Sequence, residues 1–492
     1  MFKYVLLLIF IFYEILDSCA ISYQDVIVSG PGLRPDDIVM PARYFFVNFS
    51  AVKEIIETPK YVDNVHFEIN KGVPNSKCRI WANKLDRRDG TIILRYKVYE
   101  TCKSCQLNIL YKGNHIGESP YKIQGTILPD QCNCPEKDIK KWLKNYGCNG
   151  DYSRIHKDLE PFTNINMKVK LPKIIDRLNR PESNSFCHYV IKNNIVHRDC
   201  YGKHVGFNMF IDSILTSLTR KVVLPDLELV ANLGDWPLSR KGLERLPIFS
   251  WCGNEENYDI IMPTYDITES SLENMGRVTL DMLSVQGNVK LDWSKREPKA
   301  FWRGRDSNRH RLDLIDIARE HPDLINASVT NFFFFSDMKE KYGPKQPHIS
   351  FFRFFDYKYQ INIDGTVAAY RFPYLLAGGG LVFKQNSSYM EHFYHDLEEW
   401  VHYVPIKKDL SDLIEKLHWA RNNDEQAYNI AENGQRFANE NLLPQHIFCY
   451  HAVLFNEWSK RLNGEVIVGN NMTRVEQEGC QYPCPTHAKD EL

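Results

Sequence analysis

The chain has 492 residues, of which 43% are hydrophobic and 13% are aromatic, and its formal net charge at pH 7 is −1. A chain of this length and composition can form roughly two to four domains with packed cores. Because it carries almost no net charge, we do not expect a general affinity for nucleic acid or for anionic membranes.

The amino-terminal residues follow the pattern of a secretory signal peptide. Lys3 supplies a positive charge, an apolar run extends from Val5 to Ile15, and small residues allow cleavage after Ala20. The run is too short to span a bilayer, and no later stretch of about 18 uninterrupted apolar residues follows it. We therefore predict that residues 1–20 are removed and that the mature chain has no membrane span.

The chain ends in the four residues Lys489-Asp490-Glu491-Leu492. KDEL in this position is the address with which a receptor returns escaped proteins to the endoplasmic reticulum. Together with the signal peptide, it predicts localisation in the endoplasmic reticulum lumen and makes the KDEL receptor an expected partner. The polar tail 475–492 is predicted to leave this address accessible.

The cysteine content is interpreted for an oxidising compartment. Of the 13 cysteines, Cys19 leaves with the signal peptide, and most of the others are expected to form disulfides whose pairing the sequence does not determine. The spacing Cys102-x-x-Cys105 resembles a redox motif, but no βαβ pattern surrounds it, which favours a structural role. Predicted glycan sites, and hence surface positions, begin at Asn48, Asn326, Asn386 and Asn471.

Residues 21–128 predict an immunoglobulin-like β-sandwich. Short strands are expected at 45–47, 65–69 and 91–98, separated by Gly, Pro, Asn and Asp turns. The opening segment 28–33 and the late segment 115–121 resemble the first and last strands of a filamin-type repeat. Domains of this kind usually bind other molecules or act as spacers between domains. The sequence of this one shows no group of residues typical of a catalytic site.

A linker at 129–135 leads into a second domain, which extends to residue 474. Strands are predicted at 225–232, 359–363 and 381–383, and helices at 211–219, 277–283, 367–376 and 410–437. This alternation favours parallel sheets in an α/β architecture, and the length suits two Rossmann-like lobes.

The first candidate for chemistry is Asp235, in the sequence Gly234-Asp235-Trp236-Pro237 after a predicted strand. Open α/β sheets bind ligands at the carboxyl ends of their strands. A carboxylate beside an indole can have a raised pKa, which suits a general base. The alternative is an aspartate that only caps a turn.

Two arginines form the second candidate, because Arg303 and Arg305 flank Gly304 in Trp-Arg-Gly-Arg. Arginine forms bidentate contacts with phosphate, although surface salt bridges would also explain the pair. The third candidate is the run Asn362 to Arg371, which resembles a strand, a glycine turn and the start of a helix. A helix amino terminus binds anions, whereas an ordinary βα turn is the alternative.

The sequence contains no Asp-x-Asp triplet, HExxH, Walker loop or Gly-x-Ser-x-Gly elbow. Paired carboxylates commonly hold the cation of metal-dependent nucleotide-sugar enzymes, so no metal is expected here. Arginines and a helix terminus can neutralise a leaving diphosphate instead. The aromatic runs Phe332–Phe335 and Phe351–Phe355 are predicted to pack in a core.

These three segments, together with segments 201–207 and 357–365, closely resemble motifs of the KDEL-motif-containing protein O-glucosyltransferases. Those proteins are relatives of Rumi with a filamin-like domain before the transferase domain, and the resemblance covers essentially the whole mature chain. It implies a two-lobed GT-B-type transferase that moves glucose from UDP-glucose to serine in folded EGF-like repeats, such as those of Notch. It also implies inversion at the anomeric carbon, UDP-glucose as the only co-substrate, and no bound metal.

The resemblance implies roles for individual residues. Asp235 matches the catalytic base. The contacts with the donor's diphosphate and uridine are matched by Arg303, Thr366, Val367, Ala368, Ala369, Tyr370 and Arg371, with Arg305 at a position where relatives differ in spacing. The segments Asp199 to His204 and Pro263-Thr264-Tyr265 fall where relatives contact the acceptor module or the donor sugar.

Two departures from Rumi lie near the base. Cys200 stands alone where Rumi has a close pair of cysteines, and Asp-Trp-Pro replaces Asp-Tyr-Pro, so we expect the loop that reads the acceptor to differ. One alternative function is transfer from UDP-xylose, because one hydroxymethyl group changes binding by only about 1–3 kcal/mol. The other is a non-catalytic quality-control binder, against which the intact Asp235, Arg303 and Arg371 argue.

Overall fold

The computed structural model describes residues 23–71, 78–180, 185–272 and 281–476, together with Cys484. The predicted signal peptide, the retrieval signal Lys489–Leu492 and most of the helix expected at 277–283 lie outside the described residues. The chain divides into two compact units between Pro129 and Asp130. A search of the described helices finds none with the length and hydropathy of a membrane span.

The first unit consists mainly of short strands. They are β1 Ile27–Ser29, β2 Arg43–Asn48, β3 Val65–Lys71, β4 Ile80–Asp86, β5 Thr91–Val98, β6 Cys102–Lys103, β7 Cys105–Tyr111, β8 Asn114–His115, β9 Tyr121–Lys122 and β10 Thr126–Ile127. A short helix spans Lys53–Ile56, and 3-10 turns span Tyr23–Asp25, Pro31–Leu33 and Tyr61–Asn64. The strands predicted at 45–47, 65–69 and 91–98 are confirmed.

The two larger sheets of this unit are antiparallel, with the orders β1-β2-β5-β4 and β3-β7-β8, and β9 also pairs with β7. A smaller antiparallel sheet pairs β10 with β6. Their inward side chains form one apolar core that includes Phe45, Leu94, Tyr96 and Leu107. The segment predicted as a last strand at 115–121 is interrupted between β8 and β9. Gly117 lies in this break with a φ of +56°, which is not a strand conformation. Glycine suits the position, because a Cβ there would lie 2.8 Å from the Val26 carbonyl oxygen.

The second unit alternates strands and helices. Its strands are β11 Phe186–Lys192, β12 Ile195–Tyr201, β13 Leu227–Asn232, β14 Ile248–Ser250, β15 Gly253–Asn254, β16 Ile260–Ile261, β17 Glu297–Arg305, β18 Ile325–Asn331, β19 Tyr357–Asn362, β20 Leu381–Gln385, β21 Tyr389–Met390, β22 Val404–Ile406 and β23 Thr473–Arg474. Its helices are Ile139–Tyr146, Ser153–Leu159, Met167–Leu178, Asn208–Lys221, Tyr265–Leu272, Met282–Asn288, Arg309–Glu320, Lys339–Tyr342, Phe372–Ala377, Leu413–Asn422, Asp424–Asn441 and Pro444–Ser459. Its 3-10 turns are Trp293–Lys295, Ser336–Met338, Phe351–Asp356 and Tyr394–Asp396. The helix predicted at 211–219 and the strands predicted at 225–232, 359–363 and 381–383 are confirmed, with shifted ends. Segment 410–437 is largely helical, as predicted, but it forms two helices that are separated at Asn423.

The first sheet of this unit has the strand order β16-β14-β13-β11-β12-β23 and is mixed, so the expectation of parallel sheets is wrong for it. Asn193 and Asn194 form a two-residue turn with φ values of 50° and 61° between β11 and β12. Such a turn joins antiparallel strands, because its twist matches theirs. Within this first sheet, the parallel pairs are β13 with β14 and β14 with β16.

The second sheet is parallel, as predicted, with the order β18-β17-β19-β20-β22. Its apolar side chains pack in a core that includes Trp302, Ile361, Phe383 and Val404. Because the strands run in one direction, their carboxyl ends share one edge of the sheet. Arg305 and Asn362 end their strands at this edge.

The helix predicted at 367–376 begins only at Phe372, so the prediction of its start is wrong. Pro373 occupies the first turn of the observed helix. A helix that began at residue 367 would place Pro373 in its interior, where proline lacks the N–H that bonds the preceding turn. Residues 363–371 therefore form an irregular segment after β19.

Disulfides join Cys78 to Cys102, Cys134 to Cys484, Cys148 to Cys449, and Cys187 to Cys200. The disulfide expectation is confirmed for these residues, and Cys200 has a partner on the neighbouring strand. Cys102 belongs to a disulfide with Cys78, so the Cys102-x-x-Cys105 spacing is not itself a disulfide.

Two surface predictions need correction. Asn386 and Asn471 are exposed, whereas Asn48 and Asn326 are half-buried. Asn326 Nδ2 donates a hydrogen bond to the Tyr357 hydroxyl at 2.8 Å. The aromatic run 332–335 is not a core segment, since Phe333 is 70% exposed and lies on a loop. Phe334 is also exposed, whereas Phe332 and Phe335 are half-buried and pack against the core of the parallel sheet, so the prediction holds for those two residues.

Candidate active site

A cavity of about 300 Å³ lies at the carboxyl end of β17. Its lining comprises Asp266, Arg303, Gly304, Arg305, Thr330, His348, Ile349, Phe351, Phe354, Tyr370, Arg371 and Tyr374. Arg303 and Arg305 are two residues apart on one strand, so their side chains share a face of it. Arg371 reaches the same cavity from the irregular segment after β19, and three cationic side chains therefore meet there.

Hydrogen bonds to the neighbouring strand orient the Arg303 guanidinium. Its Nη1 donates to the Asn326 carbonyl oxygen at 3.0 Å, and its Nη2 donates to Asn326 Oδ1 at 2.7 Å. The guanidinium also lies 4.5 Å from the centre of the Phe301 ring. Burial lowers the pKa of Arg303, but a guanidinium remains charged at neutral pH.

Arg371 is held from the opposite side. Its Nη1 donates a hydrogen bond to the Arg303 carbonyl oxygen. Burial lowers the pKa of Arg371 to about 10, and the charge of Asp266 opposes this shift, so Arg371 is a cation at neutral pH. Gly304 makes room for the approach, because a Cβ at that position would lie 2.6 Å from the Trp302 ring and 3.3 Å from Arg371 Nη2.

A further arginine, Arg311, stabilises the backbone of this region. Arg311 donates to the Asp364 carbonyl oxygen at 2.8 Å, to that of Ile363 at 3.2 Å and to that of Arg305 at 3.1 Å. It therefore ties the segment after β19 to the end of β17. Burial lowers the pKa of Arg311 to about 9. No motif in the sequence singled out this residue.

The predicted run 366–371 divides between core and cavity. Val367, Ala368 and Ala369 are buried, and Thr366 is partly buried, but none of these residues lines the cavity. Tyr370 and Arg371 do line it. Because the helix begins only at Phe372, the anion-binding helix terminus expected within this run is absent from it.

Asp235 lies in the loop that follows β13, and it is partly buried. Asn232 fixes the start of this loop, since its Oδ1 accepts from the Gly234 N–H at 2.9 Å and its Nδ2 donates to the Trp236 carbonyl oxygen at 2.7 Å. Burial raises the pKa of the Asp235 carboxyl. A carboxylate with a raised pKa accepts a proton more readily at neutral pH.

Asp259 fixes the other end of the same loop. Its two carboxylate oxygens accept from the backbone N–H groups of Leu238, at 2.8 Å, and Ser239, at 2.7 Å. The Ser250 hydroxyl donates to Asp259 at 2.6 Å and accepts from Asn232 Nδ2 at 3.1 Å. These buried contacts join both ends of the loop that carries Asp235.

Tyr265 lies close to Asp235 and to a residue that lines the cavity. Its ring centre lies 5.3 Å from that of Tyr370, which lines the cavity. Asp235 is close enough to raise the pKa values of both tyrosines after the larger effect of burial. Tyr265 itself is held by Phe207, with ring centres 4.8 Å apart, but it does not line the cavity.

The segment 199–204 begins at the end of β12, on the same side of the first sheet as Asn232 at the end of β13. Phe186 pairs with both Tyr201 and Asn232. The Tyr201 hydroxyl donates to Asp199 at 2.8 Å, while Gly202, Lys203 and His204 are exposed. Trp236, beside Asp235, is 46% exposed. Residues 202–204 and Trp236 therefore present polar and aromatic side chains to solvent.

Sequence reasoning missed seven of the twelve residues that line the cavity. The missed residues are Asp266, Thr330, His348, Ile349, Phe351, Phe354 and Tyr374. A usable signal existed for Asp266, which follows Tyr265 directly, and for the aromatic run that contains Phe351 and Phe354. The latter was interpreted only as core. His348 and Thr330 belong to no motif that the sequence reveals.

Metal-ligating side chains are clustered outside this region in the part of the chain that the structure describes. Over the described ranges, the only group of three His, Cys, Asp or Glu side chains with ligand atoms within 4.8 Å of one another is Cys78, Cys102 and Cys105. That group lies in the first unit, and Cys78 and Cys102 are joined in a disulfide. The cavity itself contributes a single carboxylate, that of Asp266.

Comparison with known proteins adds two family matches. The model of "Glycosyl transferase family 90" matches residues 144–491, and that of the "Filamin/ABP280 repeat" matches residues 20–122. The chain is 46% identical to Protein O-glucosyltransferase 2 of Danio rerio, over 94% of this chain and 93% of that one. It is 42% identical to Protein O-glucosyltransferase 3 of Homo sapiens, over 95% and 94%.

More distant relatives and structures were also found. Protein O-glucosyltransferase 1 of Homo sapiens is 30% identical, over 72% of this chain and 90% of that one. The crystal structure of TarM has a TM-score of 0.27 at 13% identity, covering 33% of this chain and 36% of its own. Anabaena Alr3699/HepE in complex with UDP-glucose has a TM-score of 0.24 at 12% identity, covering 39% and 50%. These structural likenesses are too distant to assign the fold.

Proposed function

The chain belongs to glycosyl transferase family 90 and is therefore a glycosyltransferase, and from this premise we propose the donor, the acceptor and the mechanism. Its relatives are protein O-glucosyltransferases, so the activity is protein O-glucosylation. The proposed donor is UDP-glucose. The proposed acceptor is a serine hydroxyl in folded EGF-like repeats of secretory or cell-surface proteins, such as those of Notch.

The observation that carries this proposal is the meeting of Arg303, Arg305 and Arg371 around one cavity. A nucleotide diphosphate bears negative charge that guanidinium groups bind bidentately. The aromatic side chains of Phe351, Phe354 and Tyr374 at the same cavity suit a nucleobase.

The architecture supports a two-lobed GT-B-type arrangement. Arg303 and Arg305 belong to the parallel sheet, whereas Asp235 and Asp266 follow strands of the mixed sheet. The donor would bind between these two layers. Ligands of α/β sheets bind at the carboxyl ends of the strands, where these residues lie.

In the proposed mechanism, Asp235 takes the proton of the acceptor serine while its oxygen attacks the anomeric carbon. A serine hydroxyl is a weak nucleophile at neutral pH, so a positioned base accelerates this step by about 10²–10⁴-fold. The bond from the anomeric carbon to the diphosphate oxygen breaks, and the arginines stabilise the charge on the leaving UDP. Attack from the face opposite the leaving group inverts the anomeric centre.

The cellular setting is part of the proposal. The amino-terminal signal and the terminal KDEL support residence in the endoplasmic reticulum lumen and retrieval by the KDEL receptor. EGF-like repeats acquire their disulfides in that compartment.

The proposal is tested with purified protein, an oxidised EGF-like repeat, and UDP-glucose or UDP-xylose as donors. Transfer of glucose to one serine, with a β-linkage from the α-linked donor, is the expected result. Faster transfer from UDP-xylose would replace the proposed donor. Donor binding without any transfer to the repeat would contradict the proposed acceptor.

A further inference from the structure

Asp266 places a negative charge in a cavity that otherwise presents cations. It lines the cavity beside Arg303, Arg305 and Arg371, in the first turn of the helix Tyr265–Leu272. Its carboxylate has no hydrogen-bond donor or ion-pair partner among the described residues. A carboxylate in a site for a diphosphate repels the ligand, so its presence requires a compensating contact.

The position of Asp266 indicates which part of the donor supplies that contact. Asp266 shares the lining of the cavity with Arg371, and the charges of Arg371 and Asp235 both act on its carboxylate. In the proposed reaction, the diphosphate lies at the arginines and the anomeric carbon faces Asp235. The donor's sugar must therefore occupy the space between them, where Asp266 lies.

We propose that Asp266 accepts hydrogen bonds from hydroxyl groups of the donor's hexose, an inference that rests on the proposed function. A carboxylate has two oxygens and about four lone-pair sites, so it can accept from two neighbouring hydroxyls at once. Charge-assisted hydrogen bonds of this kind offset the repulsion between Asp266 and the diphosphate. Asp266 thereby selects a glycosylated nucleotide over the bare nucleotide product.

The neighbourhood of Asp266 supports a hydroxyl-rich ligand. Tyr370 lines the same cavity, and its buried hydroxyl has no hydrogen bond of ordinary geometry among the described residues, although the weakly bonding Cys252 thiol is close to it. A buried hydroxyl without a partner is costly, and a sugar hydroxyl would satisfy it. Asp266 and Tyr370 thus offer an acceptor and a donor to one sugar ring.

The test compares two ligands on each variant, so that any loss of folded protein cancels. Dissociation constants for UDP and for UDP-glucose are measured by calorimetry for the wild type, Asp266→Ala and Asp266→Asn. For Asp266→Ala we expect UDP-glucose to bind at least tenfold more weakly, while UDP binds equally well or more tightly. Asp266→Asn, which retains one acceptor oxygen, should recover part of the loss.

Glu269→Gln serves as the matched control, because Glu269 lies on the same helix and its charge acts on Asp266 but it does not line the cavity. It should leave the ratio of the two dissociation constants unchanged. Equal shifts for UDP and UDP-glucose in Asp266→Ala, or a loss of UDP binding through a contact with the ribose, would overturn the inference. Failure of the wild type to bind UDP-glucose would instead contradict the proposed function.

Discussion

Arg371 donates a hydrogen bond from Nη1 to the backbone carbonyl oxygen of Arg303. This contact joins the irregular segment after β19 to the strand that carries the other two cavity arginines. It leaves Nη2 of Arg371 near Gly304, at the position where a Cβ would be 3.3 Å away. The guanidinium of Arg371 therefore has one structural bond and a remaining edge that faces the cavity.

Arg303→Ala and Arg371→Ala should each weaken UDP binding by roughly 10- to 100-fold. Charge-assisted hydrogen bonds contribute about 1.5–3 kcal/mol, which corresponds to that range. Titration calorimetry with UDP measures the effect, and Arg309→Ala is a suitable control because Arg309 pairs with Asp313 and does not line the cavity. Unchanged affinity in both cavity variants would show that the diphosphate binds elsewhere.

Asp235→Asn should reduce transfer by about 10²–10⁴-fold while UDP affinity stays within a few-fold of the wild type. The amide keeps the shape of the side chain but cannot take the serine proton. Initial rates on a folded repeat, measured beside UDP affinity, check this. A variant that retained most of its activity would remove Asp235 from the role of base.

Asp259→Asn should lower kcat without changing UDP affinity. The amide nitrogen would face a donor, so one of the N–H groups of Leu238 and Ser239 or the Ser250 hydroxyl would lose its acceptor, and the loop that carries Asp235 would be less well held. The comparison is Asp412→Asn, which removes another buried carboxylate that accepts a backbone N–H, from Lys407 at 2.8 Å. Equal falls in kcat for the two variants, relative to the amount of UDP-binding protein, would reduce Asp259 to general stability.

Glu391 should make the protein less stable as the pH rises. Burial raises its pKa from 4.5 to about 8, and Asp266 and Asp364 add to the shift, whereas the Tyr394 hydroxyl and Lys384 oppose it. The folded state therefore holds this proton where the unfolded state has lost it, and stability falls between about pH 4.5 and about pH 8.

Glu391→Gln removes that proton equilibrium. The fall in melting temperature from pH 5 to pH 8 should be smaller for the variant than for the wild type. Each unit of pKa shift is worth about 1.4 kcal/mol, so the effect at pH 8 should be measurable by calorimetry. Parallel melting curves for the two proteins across this range would contradict the assignment.

Activity should persist in a chelator and should require a folded acceptor. The arginines at the cavity would carry the leaving-group charge, and a rigid acceptor loses little entropy on binding. Transfer is measured with an oxidised repeat and with the same repeat after reduction and alkylation, each with and without EDTA. Loss of activity in EDTA that manganese restores would refute the metal-free mechanism, and equal turnover of the alkylated repeat would refute recognition of the fold.

Much of the architecture follows from local patterns. Strands such as β5 and β20 combine apolar, β-branched residues with flanking turn residues, and those signals are sufficient to find them. Strand direction was harder to predict, because the antiparallel β11–β12 pair depends on the backbone angles of Asn193 and Asn194. The helix start at Phe372 also has a signal in the sequence, because Pro373 suits the first turn of a helix and not its interior.

The site was partly predictable for a similar reason. Arg303, Arg305 and Arg371 lie in segments whose residue types suit an anion, and all three line the cavity. Thr330 and His348 line it as well, but they arrive there through the packing of distant segments, which no local pattern encodes. Val367, Ala368 and Ala369 lie in the right segment and are buried, since the chain there turns into the core.

The disulfide between Cys148 and Cys449 spans 301 residues, and that between Cys134 and Cys484 spans 350. The helix Pro444–Ser459 also returns to the first sheet, where Trp458 Nε1 donates to the Glu228 carbonyl oxygen at 2.8 Å. The core of the mixed sheet can therefore form completely only after the carboxyl-terminal part of the chain has been synthesised. A chain that ends before Cys449 leaves Cys148 without its partner and free to form an incorrect disulfide, so truncation near the carboxyl end should impair folding of this unit.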